Sequence, residues 1–121
     1  MINNIQMAGV HTKLTAEEEA YIVKKIGPMD KYIPRKIRAV AKAEVKLIQQ
    51  RAKDKARFTC EIIVHLPQGF VSVHERATTT LAAIDLAEDK LKVQLRKYKG
   101  KHAGPQIHRR LVARFVRSKK A

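Results

Sequence analysis

Two ten-residue segments, 39–48 and 57–66, alternate apolar and polar side chains. In the first, Ala39, Ala41, Ala43, Val45 and Leu47 point one way, and Val40, Lys42, Glu44, Lys46 and Ile48 the other. In the second, Phe58, Cys60, Ile62, Val64 and Leu66 oppose Arg57, Thr59, Glu61, Ile63 and His65. A period of two marks a strand with one buried face. The chain must therefore build a sheet that something else covers. Polar residues Gln49 to Lys55 make the turn between the two strands, Pro67-Gln68-Gly69 makes a tight turn, and residues 70–76 supply a further strand. Strands joined by such short turns are antiparallel neighbours.

The cover is helical. Thr15-Ala16-Glu17-Glu18 reads as a capping box, in which hydroxyl and carboxylate each satisfy a free backbone N–H of the first turn. Ile22, Val23 and Ile26 follow as an apolar stripe, with Met29 one turn on, so a helix is expected over about 15–26. Gly27-Pro28 weakens it before a further turn up to Tyr32. A longer helix is expected from about Thr79 to Lys99, with Leu81, Ile84, Ala87, Leu91, Leu95 and Tyr98 on one face. Ile2 to Met7 reads as a short first strand. The order is β-α-β-β-β-α, an α+β fold with a four-stranded sheet and both helices on one face. The crossover through the first helix makes the first two strands parallel. The other sheet face is left polar, with mixed charge.

Charge narrows the partners. The 121 residues hold 26 Lys and Arg against 11 Asp and Glu, a net charge of +15. Such an excess favours polyanions, either nucleic acid or an anionic membrane. Residues 100–121 carry Lys101, Arg109, Arg110, Arg114, Arg117, Lys119 and Lys120 and no acid. The chain thus divides into an α/β domain over 1–101 and a basic tail over 102–121, with Gly100 and Gly104-Pro105 as breakers. No apolar run is long enough for a membrane helix. The N-terminus lacks a signal-peptide pattern, and the lone Cys60 excludes an intramolecular disulfide, so a cytoplasmic protein is expected.

Catalysis has little to work with. The two serines, Ser72 and Ser118, sit in no nucleophile elbow, and the five glycines are too scattered for a phosphate loop. Cys60 falls on an inward strand position and reads as core. The histidines, His11, His65, His74, His102 and His108, lack metal-ligand spacing. His65 and His74 could approach across neighbouring strands, but ordinary outward positions are the plainer reading. Asp85, Glu88 and Asp89 precede Lys92 and Arg96 at helical spacing, which reads as surface ion pairing. No enzyme activity, cofactor, metal or small-molecule substrate is expected, and no membrane partner.

The binding signal is stronger. Lys24, Lys25 and Lys31 lie on or just after the first helix, and Lys90, Arg96, Lys97 and Lys99 on the second. Lys90, Gln94, Lys97 and Lys101 share one face, while Arg96 lies further round. On one helix this would be an ordinary solvated lysine face. Two helices side by side form a basic plate, continued by Lys101, Arg109, Arg110 and Arg114 of the tail. Aromatic residues make up only 5%, so stacking platforms for single-stranded bases are few. A cationic plate without base-reading side chains suits the phosphates and shape of folded RNA.

The segment Ala83-Ile84-Asp85-Leu86-Ala87-Glu88-Asp89-Lys90-Leu91, continued by Gln94-Leu95-Arg96-Lys97-Tyr98-Lys99, resembles the second helix of the ribosome hibernation promoting factor and ribosome-associated inhibitor A family. Tyr21-Ile22, Lys24-Lys25-Ile26, Met29 and Tyr32 resemble its first helix, and Ile62-Val64-His65-Leu66-Pro67 its third strand. The resemblance covers about residues 1–101. It implies the same β-α-β-β-β-α fold, similar to that of double-stranded-RNA-binding domains. It also implies a partner in the small ribosomal subunit and its ribosomal RNA. There the family occupies the channel between head and body, sterically blocks messenger and transfer RNA, and catalyses nothing. Carried onto matching positions, the RNA-contacting residues are Lys24, Lys25, Lys90, Arg96, Lys97 and Lys99. Thr79 and Leu81 stand where the family often has an acid and an aromatic, and Thr79 retains the capping role. Gly27-Pro28 interrupts a helix that usually runs on. The chain ends at Ala121, too soon for the second domain of long members, and so resembles a short form. The tail from His102 onward lies outside the resemblance. Ile107, Leu111, Val112, Phe115 and Val116 would suit a basic amphipathic helix, and an arm that orders on RNA fits equally. The alternative to hibernation is a general RNA-binding or ribosomal structural protein without inhibitory role.

Overall fold

The computed structural model describes residues 2–50, 57–67 and 69–102. Arg109, Arg110, Arg114 and the apolar positions of the tail lie outside the described residues, as does the side chain of Lys101. Four strands, β1 (Asn4–Val10), β2 (Lys42–Gln49), β3 (Phe58–Leu66) and β4 (Gly69–Ala77), form one sheet in that order. β1 and β2 are parallel, and the other pairs antiparallel. The crossover between β1 and β2 contains α1 (Ala16–Ile26), and α2 (Thr80–His102) follows β4.

The alternation sorts the strands as its period requires. Ala43, Val45, Leu47, Cys60, Ile62, Val64, Leu66, Val71 and Val73 are buried beneath Ile22, Ile26, Ile84, Ala87, Leu91 and Leu95 of the helices. The capping box of α1 is complete: Glu18 N–H donates to Thr15 Oγ1 at 3.1 Å, and Thr15 N–H to Glu18 Oε1 at 2.9 Å. Thr79 caps α2, its Oγ1 accepting from Ala82 N–H at 3.2 Å. Gly27-Pro28 ends α1 as expected, and a 3-10 turn over Gly27–Tyr32 continues the path and buries Met29.

Two strand boundaries differ from the sequence pattern. β1 runs three residues past Met7, because the parallel pairing with β2 continues through Ala8, Gly9 and Val10. Ile2 instead donates its N–H to the Gly27 carbonyl at 2.9 Å. The second strand begins at Lys42, not at 39: Arg35–Val40 forms another 3-10 turn. The pairing of β2 with β1 starts at Asn4 opposite Lys42, so the alternating residues upstream have no ladder to join.

Both helices run antiparallel to β1 and therefore parallel to each other. Glu18 and Thr80 interact near their starts, and at the other end Lys99 of α2 donates to the carbonyl of Lys31, just past α1, at 3.3 Å. The start of β2, the β3–β4 hairpin and the Arg35–Val40 turn all gather at that far end.

Candidate nucleic-acid interface

Charge along the two helices is ordered. Glu17, Glu18 and Glu19 open α1 and Lys24 and Lys25 close it. In α2, Asp85, Glu88 and Asp89 precede Lys90, Lys92, Arg96, Lys97 and Lys99. Acids near a helix start and bases near its end complement the partial charges of the backbone there. Because the helices are parallel, the same order brings their cations together at one end.

The junction between the helices is ionic and aromatic. Tyr21 Oη donates to Asp85 Oδ1 at 2.5 Å. Lys25 Nζ lies 3.6 Å from Asp85 and 3.9 Å from the buried Glu88. Glu88 first, with Tyr21 and Asp85, raises the Lys25 ammonium above its ordinary range. Asp85 and Glu88 thus take their partner from α1, not from Lys92 and Arg96 as the helical spacing suggested. The reason is orientation: that side of α2 faces the neighbouring helix.

Freed from those carboxylates, Lys92 and Arg96 serve a cationic cleft. Lys24, Lys25, Pro28, Met29, Lys31, Glu88 and Lys92 line a hollow of about 240 Å³. Next to Lys31 in the chain is Tyr32, with Lys31 Nζ 5.2 Å and Arg96 Cζ 5.1 Å from the ring centroid, within cation–π range. Burial alone would raise the Tyr32 phenol. The hydrogen bond with Arg96 and the charges of Lys31, Arg96 and Lys92 outweigh it, and the phenol falls below its ordinary value. Lys31 and Arg96 beside the ring make the local field positive.

The expected plate is therefore split. Lys24, Lys25, Lys31, Arg96 and Lys99 surround the junction between the helices. Lys90 lies on the opposite flank of α2, 2.7 Å from Glu75 of β4, and Lys97 follows it on that flank two turns later. The sequence reading missed Lys92, assigned to ion pairing, and the cations of the Arg35–Val40 turn. Arg35 and Lys36 are exposed. Arg38 Nε donates to the Ile33 carbonyl at 2.9 Å and its guanidinium reaches the Lys31 carbonyl at 3.5 Å, tying the two 3-10 turns together. Three bases within four residues after Pro34 were the available signal. On the outer sheet face, His74 stands opposite Glu61 and His65 opposite Phe70, so the two histidines are not paired. A larger hollow of about 640 Å³ lies at the other end of the sheet, lined among the described residues by Val10, His11, Ile48, Gln49 and Gln50.

Residues 5–103 match the family model described as sigma 54 modulation protein / S30EA ribosomal protein. A ribosome hibernation promotion factor of Deinococcus radiodurans is 28% identical over 98 residues, covering 80% of this chain and 49% of the relative. The chain thus spans about half the length of that curated relative. The crystal structure of the N-terminal domain of Thermus thermophilus Protein Y superposes with a TM-score of 0.66 at 31% identity, covering 78% of this chain and 98% of that one. A ribosomal subunit interface protein from Coxiella burnetii shares the fold, with a TM-score of 0.63 at 22% identity, over 79% of this chain and 97% of that one.

Proposed function

The chain belongs to the sigma 54 modulation protein / S30EA ribosomal protein family, and from that premise we propose that it is a ribosome hibernation factor. It binds the small ribosomal subunit in the decoding channel through ribosomal RNA and sterically excludes messenger and transfer RNA. The observation that carries this reading is the gathering of Lys31, Lys92, Arg96 and Lys99 at the shared C-terminal end of two parallel helices. A rigid cationic end on a small domain fits phosphate-lined RNA, and occlusion requires no reaction. Lys24, Lys90 and Lys97 extend the surface on either side, with Lys101 and the tail cations Arg109, Arg110 and Arg114 as further phosphate contacts. Lys25 contributes mainly by holding the helices together.

The test is translation in vitro at saturating protein. The expected result is inhibition, relieved by excess messenger and transfer RNA competing for the small subunit. Full translation on ribosomes that carry the protein would sink the proposal and leave a general RNA-binding role.

A further inference from the structure

Phe70 is the most exposed large apolar side chain of the described residues, at 67%. Gly69, at φ 143°, closes the hairpin in a conformation that favours glycine, and the strand then buries Val71 and Val73 and leaves Phe70 on the opposite face. That face is covered by neither helix. The register sets Phe70 opposite His65, and His65 opposite Lys42, in one row across three strands. Lys46 stands on the same face two rows on, opposite Glu61. Arg35 and Lys36 are exposed in the turn that leads into β2, and Val40, just before Lys42, is 64% exposed. Of the two carboxylates on this side among the described residues, Glu44 lies 3.3 Å from His65, and Glu61 lies between Lys46 and His74 in the ladder.

We propose that this row is a stacking site for a base of an unpaired RNA strand. The base lies on the Phe70 ring, and the backbone runs across the sheet toward Lys42, with Arg35 and Lys36 taking the next phosphates. Lys42 is about 10 Å from Phe70, two strand spacings. An aromatic platform offers its π-face only to a base that is not already stacked, which favours a single strand over a duplex. Ile63, half-buried between Glu44 and Ser72, is the one apolar side chain in the adjoining row, and Asn4, Gln6, Lys42, Glu44 and Ser72 around it are polar, so this patch is too small to form the apolar core of a protein interface. The inference rests on the RNA-contact reading but uses the sheet side away from the helix junction. It also qualifies the expectation that stacking platforms are few: among the described residues Phe70 is the one aromatic side chain that stands exposed, the others being partly buried.

The chain contains no tryptophan, so Phe70→Trp places a single reporter in the site. Titration with a short oligouridylate at low salt should quench its emission, and a blunt RNA duplex of equal length should not. Phe70→Ala should weaken oligouridylate binding roughly fivefold to a hundredfold, and Phe70→Tyr should retain it. Thermal melts unchanged from wild type would show that these variants are folded. Absence of oligouridylate binding by the wild-type chain, unquenched emission at saturation, or wild-type affinity of Phe70→Ala would each overturn the proposal. Ribosome binding by Arg96→Gln/Lys99→Gln separates the two readings. If that variant loses ribosomes while Phe70→Ala binds oligouridylate normally, only the stacking site falls. If it binds ribosomes normally while Phe70→Trp is quenched, the helix-junction reading falls instead.

Discussion

Lys25, with carboxylates of Asp85 and Glu88 within 4 Å, has most of its charge committed inside the domain. Its neighbour Lys24 is exposed and has no such partners among the described contacts. Lys25→Gln should therefore lower the melting temperature, because Glu88 is left buried without its cation. Lys24→Gln should leave melting unchanged and weaken ribosome binding. Paired thermal melts and ribosome pelleting assays on the two variants distinguish the roles, and equal melting temperatures would refute the division. Sequence spacing could not separate these adjacent lysines, since the partners of Lys25 arrive only when α2 folds against α1. Cys60 is the contrary case. Its place in the alternation sufficed to bury it, and burial, with Glu61 adding to it, raises the thiol to about 12. At pH 8 only about one part in ten thousand is thiolate, so native protein should resist alkylation by iodoacetamide and react once unfolded in guanidinium.

At the scale of elements, the capping box ties α1 to pH. The Glu18 carboxyl is opposed by burial but held below 4.5 by hydrogen bonds from Thr80 and Thr15. A lowered carboxyl adds stability that is full above its unfolded value and lost as pH falls through the folded one. Thr15→Ala should cost about 1 kcal/mol at neutral pH, and less in acid below pH 4, as followed by urea denaturation. Leu91→Ala, in the fully buried stripe of α2, should cost roughly 2–5 kcal/mol in the same assay. All four strands and both α-helices were legible from period and capping, because each obeys a local rule, whereas the Arg35–Val40 3-10 turn was not. The start of β2 was not, because Ala39 and Val40 keep the period while β1 offers them no partner. The two flanks of α2 were also hidden: the helical spacing separates Lys90 and Lys97 from Lys92, Arg96 and Lys99, but only packing shows which flank meets α1. Arg96→Gln/Lys99→Gln should reduce the slope of log affinity against log salt by roughly 0.7–0.9 per lost phosphate contact. Lys90→Gln/Lys97→Gln on the far flank should have the smaller effect.

For the whole molecule, the buried cluster among the described residues runs from Ile2 to Leu95. A chain cut after His102 should still melt cooperatively, as followed by circular dichroism, and should bind ribosomes less tightly for want of the tail's cations. Non-cooperative melting would make the tail part of the fold. The ordering of acids before bases along two parallel helices has a consequence beyond contact. It gives the domain a permanent electric dipole along the helix axes, added to a large net positive charge. On the proposed reading, in the field of a ribosomal RNA surface the net charge would pull the molecule in, and the dipole would exert a torque that turns the cationic end foremost before any side chain touches. Orientation is ordinarily what slows protein association, so capture should be fast at low salt. It should slow steeply once the Debye length, about 8 Å at physiological ionic strength, becomes shorter than the distance over which the domain must turn.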